Sequence, residues 1–320
     1  MSNLSVEFYK KQASKLKKSY SLDDLSFQRV NAWKEIENGK ITLADAQFVI
    51  AREQGFSSWP KFKKYIEENN FDGVRFKIFG RLKKFLGKPF QSDVIDLRWE
   101  EHRTVKDWIE SLGVPHTEIG LVKVDTDSAD LNSRLPSKCV VEVFEIEGPY
   151  DPRTEIMPGQ TALGSVKFIA DVHLGKLVRY LRILGLDCLY EEPWDDHILA
   201  QKAHDQKRIM LSRDMGLLQR KCISHGQFLH SDAPIKQAQE ILKRYKIYDL
   251  CQPMSRCVSC NAPMNPVDKV KIEHLIEKGT KASYDKFFQC TSCSKVYWHG
   301  AHVKNILKTL REITDGVVQD

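Results

Sequence analysis

The sequence predicts a multidomain protein of mixed α/β and α+β class, and three observations lead to this fold class. In residues 166–250, apolar strands alternate with helical periods, which is the pattern of a parallel sheet covered by helices. Residues 73–150 follow the order strand, strand, helix, strand, strand. Two Cys-x-x-Cys pairs stand in residues 251–320. A helical module over residues 1–70 completes the four regions that we expect.

The composition excludes several classes of protein. With 320 residues and 42% hydrophobic residues, the chain can form more than one core. It has no apolar run near the roughly 18 residues of a membrane span and its polar start lacks a secretion signal, so we expect no membrane segment and a cytoplasmic location. In that compartment the 8 cysteines are thiols or metal ligands. The net charge of +6 fits nucleic-acid contact, and an ordinary solvated surface explains it equally well.

The helical module of residues 1–70 contains a recognisable helix start. Thr42 followed by Asp45 resembles a capping box, in which each residue binds the other's backbone amide. The module shows no evident chemistry, so we interpret it as a docking or spacer element. The alternative is direct RNA contact through three lysines, Lys61, Lys63 and Lys64.

Residues 73–150 change to a period of two. Strands are predicted at Val74–Phe79, Val94–Trp99, Ile119–Val124 and Val140–Ile146, and a capped helix at Thr104–Leu112. This order is typical of the β-grasp, ubiquitin-like fold. The region is similar to sulfur carriers of that fold, which end in Gly-Gly after the last strand. Here the chain continues through Glu147 and Gly148, so we expect a structural or partner-binding role instead.

Residues 166–250 contain the candidate active site. Strands are predicted at Val166–Ala170, Cys188–Tyr190, Arg208–Leu211 and Gln227–His230. In a parallel sheet the carboxyl ends of the strands meet at one edge, where ligands bind. Asp171 ends the first strand and Asp214 follows the third, while Asp195 and Asp196 begin the helix between them. These aspartates are therefore expected at one edge of the sheet.

Carboxylates gathered at one edge repel one another unless a cation lies between them, so this pattern predicts a Mg²⁺ or Mn²⁺ site. We choose Asp171, Asp196 and Asp214 as its ligands. Helix capping explains Asp195 or Asp196 equally well, and one can cap while the other binds. Asp232 is a further candidate acid, although an N-cap ahead of Pro234 is its simplest role.

Such a metal site suits phosphodiester cleavage, because bound ions activate a water and stabilise the leaving oxygen. Lys176, Arg179 and Arg182 recur every three residues along one helical stripe. Together with Arg213 they are candidates for contact with RNA phosphates. A solvated helix face explains the stripe equally well. The alternative for Asp214 is an ion pair with Arg213 or a role in a turn.

The two cysteine pairs predict a zinc site. Cys257 with Cys260 and Cys290 with Cys293 supply four thiolates, which close a tetrahedral structural site and leave no open position for catalysis. His299 and His302 follow shortly after. Because four cysteines suffice, we favour packing or nucleic-acid contact for these histidines over additional metal ligation.

Five ordered pieces between Lys167 and about Leu310 resemble one family: FIADVHLGKLVRYLRILGLD, DDHILAQKA, RIMLSRD, RCVSCNAPM and CTSCSKVYWHGAH. They are similar to the Mut-seven C-terminal RNase family, PIN-like nucleases with a fused zinc ribbon. The preceding region resembles the ubiquitin-like domain often placed before this RNase domain. The resemblance implies a PIN-like fold and a metal-dependent RNase that uses Asp171, Asp196 and Asp214. His173 stands where an apolar residue is more usual, and we favour a space-filling role over RNA contact.

Three functions remain open at this point. The leading hypothesis is a ribonuclease with two divalent ions at the aspartates. The second is a non-catalytic RNA-binding protein that uses the PIN-like sheet and the ribbon, with vestigial acids. The third is a protein-interaction adaptor that docks through the β-grasp region. A cluster of carboxylates at one edge favours the first, because a pure binding module does not need it.

Overall fold

A computed structural model describes residues 5–20, 25–36, 40–69, 73–191 and 194–311. The chain divides into two units, Met1–Gly73 and Val74–Asp320, and each is described by itself. Among the described residues, no helix combines the length and the apolar composition that crossing a bilayer requires.

The first unit is a helical assembly. Its helices are α1 (Val6–Ser19), α2 (Leu25–Asn31), α3 (Leu43–Glu53) and α4 (Trp59–Asn69). The capping box forms as predicted: Thr42 Oγ1 accepts from the Asp45 N–H, and the Asp45 carboxylate accepts from the Thr42 N–H. Tyr9, Ile50 and Phe62 belong to the core that joins α1, α3 and α4. The N-terminal region is therefore helical, as its sequence predicts.

The second unit begins with a mixed sheet. Its strands are β1 (Val74–Ile78), β2 (Ile95–Leu97), β3 (Ile119–Val124), β4 (Asp127–Ser128) and β5 (Cys139–Glu145), and its helix is α5 (Val105–Ser111). The strand order is β2-β1-β5-β3-β4, with β1 and β5 parallel. Trp108 and Ile109 of α5 pack with Phe76 and Val141 of the sheet. The predicted order is present, with the short strand β4 added.

A parallel sheet follows. Its strands are β6 (Phe168–Ala170), β7 (Cys188–Leu189), β8 (Ile209–Ser212) and β9 (Gly226–Phe228), in the order β7-β6-β8-β9. Its helices are α6 (Gly175–Ile183), α7 (Asp196–Asp205), α8 (Met215–Leu218) and α9 (Pro234–Arg244). All three strand pairings are parallel. The chain leaves α6 through Gly185 at φ +86°, where a Cβ would lie 2.1 Å from the carbonyl oxygen of Gln252. Only glycine fits both restrictions.

The last part is an antiparallel sheet with flanking helices, which we name the cysteine ribbon (residues 251–311). Its strands are β10 (Met264–Val267), β11 (Phe287–Cys290) and β12 (Val296–Trp298). The helices are α10 (Lys269–Ile272) and α11 (Lys278–Ser283), which lie between β10 and β11, and the final α12 (Ala301–Arg311). The two short helices occupy the long segment between the cysteine pairs.

The mixed sheet and the parallel sheet of the second unit share a buried polar contact. One carboxylate oxygen of Glu118 accepts from the Phe228 N–H of β9 at 2.7 Å, and the other pairs with Arg244 at 2.7 Å. His116 Nε2 lies 2.6 Å from the carbonyl oxygen of Ile223. A buried ion pair with additional hydrogen bonds fixes geometry, because removing either partner leaves an uncompensated charge.

Candidate active site and metal centre

Asp171 is the most buried of the predicted acidic residues. It follows β6 directly and is 7% exposed. Its Oδ2 accepts a hydrogen bond from Ser212 Oγ of β8 at 2.9 Å. No lysine or arginine in the described ranges forms an ion pair with it. Because a buried carboxylate is costly without a positive partner, this position favours a bound cation.

Asp187 shows how the same domain treats a carboxylate with a structural role. It pairs with Arg208 at 2.7 Å and Arg256 at 3.4 Å, and it accepts from Asn261 Nδ2 at 2.8 Å. Burial raises the pKa of Asp187, but these partners outweigh burial and lower it overall. Two arginines and an amide compensate the Asp187 carboxylate within the protein. The Asp171 carboxylate accepts a hydrogen bond from one hydroxyl, that of Ser212.

Asp214 lies at the same edge of the sheet as Asp171. The Asp214 N–H donates to Ser212 Oγ at 2.9 Å, so one hydroxyl bonds both the Asp171 carboxylate and the Asp214 main chain. Asp214 Oδ1 accepts from the Gly216 N–H at 2.7 Å and the Leu217 N–H at 3.4 Å. Asp214 therefore caps α8, a helix that the sequence analysis did not predict.

Asp196 differs from Asp171 in having a cationic neighbour. Asp195 occupies the N-cap position of α7 without a side-chain capping bond, and Asp196 in the first turn lies 3.7 Å from Arg220 Nη2. Within the described ranges, only one group of three or more potential ligands has all its ligand atoms within 4.8 Å of one another, and it is the four cysteines. Asp171, Asp196 and Asp214 are not gathered to that distance.

The four cysteines converge as their spacing predicts. Cys257 Sγ lies 3.6 Å from Cys293 Sγ, and Cys260 Sγ lies 3.4 Å from Cys290 Sγ. Four sulfurs within 4.8 Å of one another are compatible with a structural zinc site. The ring of His299 lies 5.7 Å from that of Phe288 and is not part of this group. The side chain of His302 lies outside the described residues.

We name Cys257–Cys260 the first knuckle and Cys290–Cys293 the second, and the surroundings of Cys257 in the first favour a thiolate. Burial raises the pKa of the Cys257 thiol, but hydrogen bonds from Tyr297 and from two backbone amides of the knuckle outweigh burial and lower the pKa to about 6. The Lys295 amide lowers the pKa of Cys293, yet burial and the neighbouring thiols raise it to about 12. Hydrogen bonds thus favour the thiolate form of Cys257, and a bound cation would stabilise further thiolates in the cluster.

Comparison with protein families identifies the second unit. Residues 166–310 match the family model described as Mut7-C RNAse domain, and residues 72–146 match the model described as Mut7-C ubiquitin. This chain carries a Mut7-C RNAse domain. Its order after the ubiquitin-like domain confirms the resemblance seen in the sequence. Searches of curated proteins and of solved structures found no match.

A basic cleft of about 890 Å³ opens beside Asp171 in the Mut7-C RNAse domain. Val172, the residue after Asp171, belongs to its lining. Lys176, Arg179 and Arg213 also line it, and all three are exposed. His173 is also exposed in this lining, so the interpretation of this histidine as a space-filling residue is wrong. These side chains can meet an anionic ligand at the carboxyl edge of the sheet.

Asp232 also lines this cleft, but it does not cap α9. The N-cap position of α9 is Ala233, and the Asp232 carboxylate pairs with Arg213. The predicted N-cap role of Asp232 is therefore wrong, and so is the alternative pairing of Arg213 with Asp214. The Asp232 carboxylate is instead the local partner of one cation of the cleft.

Arg182 has a different placement from the other predicted RNA contacts. It is 4% exposed, and burial lowers its pKa. Its guanidinium donates to the carbonyl oxygens of Cys188, Val258 and Ser259 at 2.8–3.0 Å. Arg182 therefore joins α6 and β7 to the first cysteine knuckle, and these bonds use its Nε and Nη1 groups.

Sequence reasoning missed Ser212 as a residue of the site. It is 0% exposed and ends an otherwise apolar strand, β8. A buried hydroxyl needs a hydrogen-bond partner. Its position at the end of a strand, two residues before a predicted ligand, is therefore a signal that it belongs to the site. The position of that partner, Asp171, became visible only through the pairing of β6 with β8.

Proposed function

We propose that this protein is a metal-dependent ribonuclease, in which a PIN-like Mut7-C RNAse domain hydrolyses RNA phosphodiester bonds with Mg²⁺ or Mn²⁺. The observation that carries the proposal is Asp171. Its carboxylate is buried at the carboxyl end of β6, has no cationic partner among the described residues and lies next to the basic cleft. A nuclease metal ion and an RNA phosphate account for both features.

Asp171 and Asp214 fit this role best, because they share the hydroxyl of Ser212. Asp196 is the third proposed ligand. Asp195, at the N-cap position of α7, is an additional candidate acid. When bound, the metal supplies an activated water and charge stabilisation at the leaving oxygen. Ser212 orients the Asp171 carboxylate by donating to Oδ2.

The basic cleft positions the substrate in this proposal. Lys176 and Arg179 lie on one face of α6, and Arg213 follows β8 and lines the same cleft. Such cations contact phosphates and carry no sequence information, so they set the register of the RNA strand. Without substrate, the Arg213 guanidinium pairs with the exposed carboxylate of Asp232.

The cysteine ribbon has a structural role in the proposal. Four thiolates fill the coordination sphere of Zn²⁺, so this metal has no open position for a water. The ribbon depends on the ion for its own fold. We further propose that the ubiquitin-like domain or the helical module binds a protein partner, since neither offers a catalytic cluster among its described residues.

Cleavage of a labelled single-stranded RNA pool tests the function. We expect cleavage that requires Mg²⁺ or Mn²⁺, and a loss on the order of a hundredfold or more in Asp171→Asn and Asp214→Asn. Asp205→Asn is the matched control, because Asp205 lies at the exposed end of α7 and accepts a bond from Gln201 only locally. Equal cleavage by wild type and Asp171→Asn would overturn the assignment.

A non-catalytic RNA-binding protein is the second candidate, and two observations favour it. The three aspartates are not gathered within 4.8 Å, and Asp214 uses its carboxylate to cap α8. In that case the cleft beside Asp171 binds RNA and the acids have no metal. RNA binding that persists without cleavage under any divalent metal would establish this function instead.

A further inference from the structure

A second cleft lies in the cysteine ribbon, between the end of α11, β11 and α12. It encloses about 1030 Å³ and shares no lining residue with the cleft beside Asp171. Three aromatic rings and three lysines contribute to its lining: Tyr284, Phe288, His299, Lys286, Lys304 and Lys308. Neither the proposed metal site nor the zinc site uses these side chains.

One of the aromatic rings, that of Phe288, is placed by alternation along β11. Phe287 is 2% exposed and packs inward, so its neighbour Phe288 faces the opposite side, where it lines the cleft. The Phe288 ring lies 5.7 Å from that of His299, and the Tyr284 ring lies 6.3 Å from that of Trp298. All four rings are partly exposed. Partly exposed aromatic rings in a groove are the platform on which unpaired bases stack.

The lysines add a positive rim to these rings. Lys304 and Lys308 stand four residues apart on α12 and share one helix face, while Lys286 immediately precedes β11. The carboxylate in this lining, Asp285, pairs with Lys269 at 2.9 Å. The lining therefore presents a surplus of positive charge to its ligand.

We propose that this cleft binds unpaired nucleotides of a single-stranded RNA segment, with a base stacked on Tyr284 or Phe288 and its phosphates held by Lys304 and Lys308. The inference rests on the proposed RNA function and names its substrate class. A duplex keeps its bases stacked inside, out of reach of these rings, so the cleft selects single strands. An acidic peptide matches the lysines but gains nothing from the row of rings.

The first test removes a ring and keeps an apolar side chain in its place. Full-length, zinc-loaded protein is titrated with a labelled oligoribonucleotide, single-stranded or annealed to its complement, without added Mg²⁺ or Mn²⁺. Tyr284→Leu should weaken single-strand binding between about fivefold and about a hundredfold and leave duplex binding unchanged. Tyr65→Leu is the control, because this tyrosine of α4 is 50% exposed in the first unit.

The second test removes the charges of the rim. The double variant Lys304→Gln/Lys308→Gln should lower the slope of log K against log salt by about 1.4, at about 0.7 for each phosphate contact on a single strand. Lys271→Gln/Lys278→Gln removes the same charge from the segment between the knuckles, outside the lining. That control should leave the slope unchanged.

Three outcomes would overturn the inference: no RNA binding by the wild type, equal loss of single-strand and duplex binding in Tyr284→Leu, and equal effects of the two lysine pairs. An acidic peptide of equal charge that displaces RNA equally well would show a general anion surface and also overturn it. These titrations test RNA binding and do not require cleavage, so they are independent of the test of the proposed ribonuclease. Tyrosine-dependent single-strand binding without cleavage would contradict only the enzyme.

Discussion

The cysteine ribbon and the acidic edge of the parallel sheet were both predicted as metal sites, yet the structure forms them to different degrees. In the ribbon, all four sulfurs lie within 4.8 Å of one another. At the acidic edge, Asp171 and Asp214 share one hydroxyl, while Asp196 lies beside Arg220. In the ribbon, the short spacing within each knuckle brings two sulfurs together. At the acidic edge, the carboxylates follow strands from distant parts of the chain.

This difference has a physical reason. Thiols are weak hydrogen-bonding groups, so few polar groups of the protein compete with a metal for the sulfurs of a Cys-x-x-Cys pair. Carboxylates accept strong hydrogen bonds from backbone amides and pair with arginines. Asp214 caps α8, and Asp187 takes two arginines. Among the buried carboxylates of this sheet, Asp171 is the one without such compensation in the described residues, which is why it carries the metal assignment.

The largest effect is expected in the ribbon. Cys257→Ser should abolish stoichiometric zinc binding and unfold the ribbon, because structural zinc contributes on the order of 10 kcal/mol to small metal-bound folds. Zinc content by mass spectrometry and a proteolysis pattern across residues 251–311 measure this. Cys222→Ser is the control, since this partly buried cysteine lies outside the cluster. Unchanged zinc content in Cys257→Ser would contradict the assignment of the four cysteines as a zinc site.

Two matched substitutions separate a structural carboxylate from a functional one. Asp187→Asn should destabilise the protein by about 3 kcal/mol, because it leaves the buried Arg208 without its charge partner. Asp171→Asn should leave stability without divalent metal unchanged or raise it, since it removes an uncompensated buried charge. Urea denaturation of zinc-loaded protein measures both. Equal destabilisation by the two variants would show that Asp171 has a structural role.

Ser212 is expected to position the acidic edge. Ser212→Ala removes the donor to Asp171 Oδ2 and the acceptor of the Asp214 N–H, and it should lower RNA cleavage about tenfold. The apparent affinity for Mn²⁺ should fall with it, and zinc content should stay constant. Ser224→Ala is a control outside the edge, because its hydroxyl contacts His225. Normal metal affinity in Ser212→Ala would place the hydroxyl outside the site.

The smallest effect concerns the basic cleft. Arg213→Gln should raise KM for RNA a few-fold with little change in kcat, because it removes one phosphate contact. Arg220→Gln is informative beside it, since Arg220 pairs with Asp196. Freed from that cation, Asp196 should bind metal at least as well as in the wild type. A drop in kcat for Arg213→Gln would indicate that Arg213 acts at the reacting phosphate.

Local signals in the sequence predicted much of the fold. Thr104 with Asp107 forms a capping box at the start of α5, and Gly185 ends α6 with a positive φ. The order of strands and helix along the chain in the ubiquitin-like domain, and the four strands of the parallel sheet, followed from apolar periods. The cysteine cluster followed from spacing alone. Each of these features depends on a repeated period or on a short motif, such as the two residues that separate the cysteines within each pair.

Features that join distant residues could not be predicted in this way. Glu118 and Arg244 are 126 positions apart and pair across two sheets. Arg182 sits at helical spacing with Lys176 and Arg179, yet it is buried under the first knuckle because α6 packs there. Periodicity shows that these residues share a stripe. It does not show which part of the stripe another domain covers.

Binding of Mn²⁺ to zinc-loaded protein tests the central claim most directly. Electron paramagnetic resonance can count bound Mn²⁺ in wild type, Asp171→Asn and the control Asp205→Asn, with zinc measured in the same samples. The account predicts bound Mn²⁺ in wild type and Asp205→Asn, its loss in Asp171→Asn, and equal zinc in all three. Equal Mn²⁺ binding by wild type and Asp171→Asn would contradict the assignment of the acidic edge as a metal site.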